Sequence, residues 1–149
     1  MALHIPEPFK DFLRLLNKHE VEYLLIGGYA VAFHGYPRAT ADMDIFIAVN
    51  PGNAVKMNSA VREFGFDVPG LSAEVFLDTT HGIIRMGVPP LRIEIMLSIS
   101  GVDFRECFEK KIVFKDGDLP INIIDKESLV INKKAAARHK DLSDLDYLP

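Results

Sequence analysis

Apolar residues recur along this chain at two different periods. Apolar positions three and four residues apart, as from Phe9 to Leu16, predict helices, which we place at 9–19, 29–34, 51–64, 104–110 and 127–148. Compact or alternating apolar runs bounded by turn residues predict strands at 21–27, 42–49, 82–88, 91–97, 111–114 and 121–124. Helices and strands that interleave in this order predict an α/β fold with a central mixed β-sheet flanked by helices.

Turn and cap residues fix several of these boundaries. Asn50-Pro51 supplies an N-cap and a first-turn proline for one helix, and Gly65 follows its last residue. Asp116-Gly117 lies between two apolar runs and predicts an antiparallel hairpin. We find no repeat, low-complexity tract or linker, so we predict a single domain over residues 1–149.

Composition narrows the class of protein. The chain has 149 residues, of which 48% are apolar, enough to bury a core. No apolar stretch reaches the roughly 18 residues of a membrane span, and prolines interrupt the first ten residues. We therefore expect a cytoplasmic protein that is not a membrane protein. The net charge of −4 argues against a protein that coats nucleic acid, but it allows a local basic patch that binds phosphate.

Acidic residues interrupt two of the predicted core strands. Asp42 and Asp44 share one face of the strand at 42–49, because side chains on a strand alternate. Two carboxylates about 6–7 Å apart along a strand repel each other, and a divalent cation is the usual reason to keep such a pair. Glu94 interrupts the strand at 91–97 in the same way. If the two strands are neighbours in register, three acids converge on a site that could hold two metal ions.

The same acids also allow a structural interpretation. Asp42 could belong to a turn and Asp44 to an exposed strand edge, with no role for either. Glu94 could be an edge-strand glutamate that pairs with Arg92 or Arg85. The register of the strands distinguishes these alternatives, and the sequence does not fix it.

Several segments together resemble the nucleotidyltransferase superfamily. These are the Gly27-Gly28 turn, the Arg-Ala-Thr-Ala-Asp-Met-Asp run at 38–44, the Ile-Glu-Ile at 93–95 and the closing segment 129–148. More narrowly, they resemble small bacterial proteins related to the nucleotidyltransferase toxins of abortive-infection systems. The resemblance covers about two thirds of the chain, and the combination is more specific than any one motif.

The resemblance implies a role for each matching residue. Gly27 and Gly28 would let the backbone approach a triphosphate, while Asp42 and Asp44 would bind Mg²⁺, with Mn²⁺ as an alternative. Glu94 would be the third acid, which helps hold the catalytic metal and can accept a proton from the attacking hydroxyl. The family commonly has aspartate at this position, so the longer glutamate is a departure that puts catalysis in doubt more than metal binding.

Four further residues are candidates for phosphate binding. Arg38 and Thr40 precede the acidic strand, where a guanidinium and a hydroxyl could meet phosphate oxygens. Lys133 and Lys140 are nearly two helical turns apart, so they project from one face if the closing helix is unbroken. The alternatives are a surface arginine, a turn threonine and a solvated basic helix face.

These features predict transfer of a nucleoside monophosphate from a nucleoside triphosphate to an acceptor hydroxyl, with two metal ions at the acids. The acceptor could be transfer RNA, a protein or a small molecule, and a protein partner or a second copy could help to bind it. The alternative is a weak or inactive nucleotidyltransferase-fold module of a toxin–antitoxin type system. A third, weaker hypothesis is nucleotide hydrolysis or sensing at the same metal site.

Overall fold

The computed structural model describes residues 3–37, 40–66, 69–80, 82–88 and 90–148. Six strands form one mixed sheet with the order β3-β4-β2-β1-β6-β5. The strands are β1 (Tyr23–Ile26), β2 (Asp42–Ile47), β3 (Ile83–Met86), β4 (Arg92–Met96), β5 (Ile112–Asp116) and β6 (Leu119–Ile123). The helices are α1 (Glu7–Lys18), α2 (Gly27–Phe33), α3 (Pro51–Phe64), α4 (Phe104–Glu109), α5 (Lys126–Ala136) and α6 (His139–Tyr147). The predicted α/β class with a mixed sheet is confirmed.

The pairing of the central strands brings distant segments together. β1 pairs with β2 in antiparallel fashion and with β6 in parallel fashion, while β2 pairs in parallel with β4. β3 and β5 close the two edges through antiparallel pairs with β4 and β6. Both acidic strands therefore lie inside the sheet, next to each other. The register sets Asp42 opposite Arg92 and Asp44 opposite Glu94.

Burial on β2 follows the alternation expected from its sequence. Met43, Ile45 and Ile47 are fully buried in the hydrophobic core, whereas Asp42 and Asp44 on the other face are only partly covered. Burial of apolar side chains is the main stabilising contribution to such a fold. The polar end of β2 thus projects from a rigid, well-packed strand.

Local signals in the sequence placed several boundaries correctly. The Asn50 side chain accepts a hydrogen bond from the backbone N–H of Asn53 at 2.9 Å, and α3 ends at Gly65 with a φ of +115°. Asp103 likewise caps α4 by accepting from the backbone N–H of Glu106. These contacts span a few residues, so the sequence alone is enough to indicate them.

The prediction of one closing helix over 127–148 was wrong. The chain breaks at Ala137, which has a φ of +51°, and continues as a separate helix, α6. The backbone N–H of Arg138 donates to Asp141 Oδ2 at 3.1 Å, a contact that caps the start of α6. A short 3₁₀ helix, Ala73–Leu77, was not predicted from the sequence; it contacts α3 and contains the fully buried Phe76.

Candidate functional site

The junction between β1 and α2 lies directly against the acidic strand β2. Gly27 has a φ of +67°, and a Cβ atom added there would lie 2.1 Å from Asp44 Oδ2. A Cβ atom on Gly28 would lie 2.5 Å from the hydroxyl oxygen of Thr40. Only glycine lets the backbone approach the polar face of β2 this closely, because any side chain would displace the acid or the hydroxyl.

Asp44 lies at the centre of the site. It is opposite Ile26 on β1 and Glu94 on β4, so a strand encloses it on each side. Its Oδ1 is buried and has no hydrogen-bond partner among the described residues. Burial raises the pKa of Asp44 to about 6, and repulsion from the Glu94 carboxylate acts in the same direction. A carboxylate that is desolvated, repelled and short of a donor is a natural ligand for a cation.

Asp42 has the opposite electrostatic environment. The guanidinium of Arg92 donates to both of its carboxylate oxygens, from Nη2 to Oδ2 at 2.7 Å and from Nε to Oδ1 at 3.2 Å. These hydrogen bonds hold the pKa of Asp42 below its usual value, although partial burial opposes them. The hydroxyl of Thr40 donates to the backbone carbonyl of Asp42 at 3.2 Å and helps to fix the start of β2.

Glu94 occupies an interior strand. The alternative that it lies on an edge strand is wrong, because β4 is covered by β3 on one side and β2 on the other. Its expected charge partners are nevertheless present, since Oε1 lies 3.5 Å from Arg92 Nη2 and 3.7 Å from Arg85 Nε. Glu94 is only 9% exposed, so these contacts occur in a partly desolvated environment.

The three acids suit a hard cation in chemistry but do not form a complete ligand set. Carboxylate oxygens are the ligands that Mg²⁺ prefers, and Asp44 Oδ1 is such an oxygen without a donor. Within the parts of the chain that the structure describes, no group of three His, Cys, Asp or Glu side chains is placed to hold a metal ion. The Arg92 fork occupies both oxygens of Asp42. A cation could use Asp42 only after this guanidinium moves.

The two lysines of the predicted phosphate clamp do not share a helix face. Lys133 lies on α5 and is almost fully buried, with Nζ at 3.1 Å from both Asp141 Oδ1 and Asp144 Oδ2 of α6. Lys140 lies on α6 and is exposed. The break at Ala137 invalidates the spacing argument, which assumed one continuous helix. Lys133 is an internal ion-pair partner that joins α5 to α6.

A cleft of about 420 Å³ opens beside Asp44. The glycine turn, Asp44 and the two lysines contribute to its wall, together with Arg138 at the start of α6. Residues that the sequence analysis did not assign to a site line the rest, namely Ile26, Gly82, Ile83, Met96, Ser98, Ile99, Ser100, Asn132 and Ala136. The described lining of the cleft therefore combines one acid, Asp44, with basic residues of α5 and α6 and with apolar side chains, whereas Asp42 and Glu94 are not part of it. Arg38, the remaining phosphate-binding candidate, lies outside the described residues.

Two arginines of the site were not assigned to it from sequence. From sequence, Arg92 was interpreted only as a partner of Glu94. The sequence did indicate that Arg92 belongs to the site, because Arg92 lies two residues before Glu94 and therefore shares its face of β4. No comparable local signal existed for Arg138, because its position depends on the break between α5 and α6.

The described helices include none that is both long and apolar enough to cross a membrane.

Comparison with proteins of known structure identifies the fold. A candidate nucleotidyltransferase of Thermotoga maritima is similar over 94% of this chain and 87% of its own, with a TM-score of 0.59 and 17% identity. An antigenic nucleotidyltransferase-like protein of Paracoccidioides brasiliensis is similar over 93% of this chain and 71% of its own, with a TM-score of 0.55 and 12% identity. No family model and no curated protein matches the sequence. The chain therefore has the nucleotidyltransferase fold, as its sequence predicted.

Proposed function

We propose that this protein is a nucleotidyltransferase, which moves a nucleoside monophosphate from a nucleoside triphosphate to an acceptor hydroxyl. The observation that carries the proposal is the position of Asp44. This desolvated carboxylate lies under the Gly27 turn, on the wall of a cleft with basic residues, in a chain of nucleotidyltransferase fold. A metal–triphosphate complex is complementary to such a cleft, because its cation would meet the carboxylate and its phosphates would meet the basic residues.

The triphosphate would occupy the cleft beside the glycine turn. Gly27 and Gly28 line the cleft and would present their backbone to the phosphates, while Lys140 and Arg138 offer positive charge from the start of α6. Thr40 would contribute its hydroxyl from the start of β2, and Arg38 belongs to the same proposed set. The volume of about 420 Å³ suits a single small-molecule ligand, since such pockets usually span about 300–1,000 Å³.

Asp42, Asp44 and Glu94 would hold divalent cations, either two Mg²⁺ ions or Mn²⁺ in their place. Bound there, the metal would polarise the phosphoryl oxygens and lower the pKa of the attacking hydroxyl. The protein's own contribution is to hold the backbone of the acids on two neighbouring, hydrogen-bonded strands, while the Arg92 guanidinium would have to leave Asp42 before a cation could use that carboxylate. Glu94, with its longer side chain, would accept the proton of the hydroxyl.

The acceptor belongs to one of three chemical classes, an RNA end, a protein hydroxyl or a small-molecule alcohol. Transfer RNA or a protein would need a surface beyond the cleft. A protein partner or a second copy of the chain would supply that surface.

A second candidate function is supported by the arginine contacts. Arg92 neutralises Asp42, and Arg85 and Arg92 both lie near Glu94, so two of the three acids are already compensated without a metal. This arrangement would suit an inactive nucleotidyltransferase-fold module that binds a partner, as in a toxin–antitoxin pair. Such a module would not respond to nucleotide and metal together.

Thermal unfolding with each nucleoside triphosphate, with and without Mg²⁺, separates the two candidates. Ligand at about 100 times its dissociation constant should add roughly 2.7 kcal/mol to the free energy of unfolding. In a chain of this size, each kcal/mol raises the midpoint temperature of unfolding by about 2–4 °C. We expect each effective nucleotide to raise this midpoint temperature only when Mg²⁺ is present. The double substitution Asp42→Ala, Asp44→Ala should abolish the increase. Asp118→Ala is the matched control, because it removes an exposed acid of the distant β5–β6 turn.

Each result leads to a different conclusion. An increase that survives in the double variant would place the nucleotide elsewhere and contradict the proposed site. No increase with any nucleotide would contradict the enzyme and favour the binding module. Release of pyrophosphate together with labelling of an acceptor would then distinguish transfer from hydrolysis.

A further inference from the structure

Arg92 occupies the place at Asp42 that a cation would need. The parallel register of β2 and β4 sets the two residues opposite each other, although they are 50 positions apart in the chain. The guanidinium forms a two-point fork with both carboxylate oxygens at 2.7 and 3.2 Å. Its Nη2 also lies 3.5 Å from Glu94 Oε1, so one side chain compensates two of the three acids.

We infer that Arg92 is a positioning residue that blocks cation binding at Asp42 until a phosphate draws its guanidinium away. The inference rests on the proposed function, because it assumes that the acids bind a divalent cation and the cleft binds a triphosphate. It adds a dependence of cation binding on nucleotide binding. The cation binds well only when the nucleotide is present.

The geometry makes the fork both an effective block and a reversible one. Each Asp42 oxygen that accepts from Arg92 is unavailable to a metal ion from the same direction, and the positive guanidinium repels a second cation. The pair is nevertheless accessible, since the Arg92 side chain is 33% exposed and that of Asp42 is 25% exposed. An ion pair that water can reach is broken easily, in contrast to a fully buried one.

A phosphate is the ligand that can compete with Asp42 for Arg92. A planar guanidinium donates two parallel hydrogen bonds to phosphate as readily as to carboxylate. When Arg92 moves to a phosphate, Asp42 and Asp44 on the same strand face are left as two uncompensated acids, which favours a divalent cation. Nucleotide and cation therefore bind cooperatively, and each raises the affinity for the other by the same factor.

The test compares binding of Mn²⁺ alone and of a non-hydrolysable nucleoside triphosphate analogue alone. Free Mn²⁺ is measured by electron paramagnetic resonance, and the analogue is titrated calorimetrically in the presence of a chelator. In Arg92→Met we expect Mn²⁺ to bind more tightly by about 5- to 150-fold, the usual range of such coupling. We expect the analogue to bind more weakly in the same variant, because its arginine partner is lost.

Two further variants make the comparison specific. Arg85→Met removes an arginine from the adjacent strand that lies 3.7 Å from Glu94 but forms no fork with Asp42, so the gain in Mn²⁺ affinity should be much smaller. Arg92→Lys keeps the charge and should bind Mn²⁺ as weakly as the native protein. A merely structural role for Arg92 would weaken both ligands in the methionine variant, whereas the inference requires changes of opposite sign.

Unchanged or weaker Mn²⁺ binding in a folded Arg92→Met variant overturns the inference. An equal gain in Arg85→Met also overturns it, since the effect would then come from net charge. Failure of the proposed function has a different signature, in which Mn²⁺ binding tightens in Arg92→Met but no protein binds the nucleotide analogue even when Mn²⁺ is present. If no variant binds Mn²⁺, the inference about Arg92 and the proposed function are both overturned.

Discussion

The substitution Asp44→Asn is expected to stabilise the protein at neutral pH, although it removes the central residue of the proposed site. The pKa of Asp44 is raised from 3.8 to about 6, chiefly by burial and then by the nearby Glu94 carboxylate. The folded protein therefore binds a proton at this carboxyl more tightly than the unfolded chain does. The favourable contribution of protonated Asp44 is complete below about pH 4 and is lost as the pH rises through about 6.

The size of the effect follows from the shift. A change of about 2 pKa units at about 1.4 kcal/mol per unit corresponds to about 3 kcal/mol of destabilisation once Asp44 is ionised. Asparagine has nearly the same shape and carries no charge, so it escapes this penalty. The variant should therefore exceed the native protein by up to about 3 kcal/mol in the free energy of unfolding at about pH 7.5, and by little at about pH 4.

Urea unfolding of both proteins at the two pH values, with a chelator to remove divalent cations, measures the difference directly. Asp42→Asn serves as the control of opposite sign. Arg92 lowers the pKa of Asp42, so the ionised form stabilises the fold above the unfolded pKa, and the asparagine variant should be less stable near neutral pH. An Asp44→Asn variant no more stable than the native protein at about pH 7.5, or equally more stable at both pH values, would refute the reasoning.

Two other predictions concern the walls of the cleft. Gly27→Ala should reduce the free energy of unfolding by more than Gly117→Ala, because both positions have positive φ (67° and 62°) but only the first alanine would contact Asp44. Thermal unfolding compares the two, and equal losses would mean that the contact is relieved without cost. Lys133→Met should cost about 3 kcal/mol, the lower end for a broken buried ion pair, because Asp141 also pairs with Arg138. Lys134→Met, on the exposed side of the same helix, should cost less than about 0.5 kcal/mol in the same urea experiment, and a similar loss in both variants would argue against a structural role for the buried pair.

The break between α5 and α6 shows why part of the fold could not be predicted. The segment around Ala135, Ala136 and Ala137 has high helix propensity and contains neither glycine nor proline. The helix nevertheless ends at Ala137 in a left-handed conformation that alanine rarely adopts. The buried contacts of Lys133 with two aspartates of α6 compensate for that conformation, and they exist only when the two helices pack together. Tertiary contacts here override local propensity.

The sequence by itself determined the features that depend on neighbours along the chain. The alternation of β2 put Asp42 and Asp44 on one face, the caps set the starts of α3 and α4, and Asp116-Gly117 turned the last hairpin. Only the tertiary structure decided what surrounds the two acids. Residues far apart in sequence had to be brought into register before Arg92 could neutralise Asp42 while Asp44 Oδ1 remained buried with no donor among the described residues. The contrast between two acids on the same strand therefore arises from long-range packing, because burial and charge partners depend on the whole sheet and not on the strand itself.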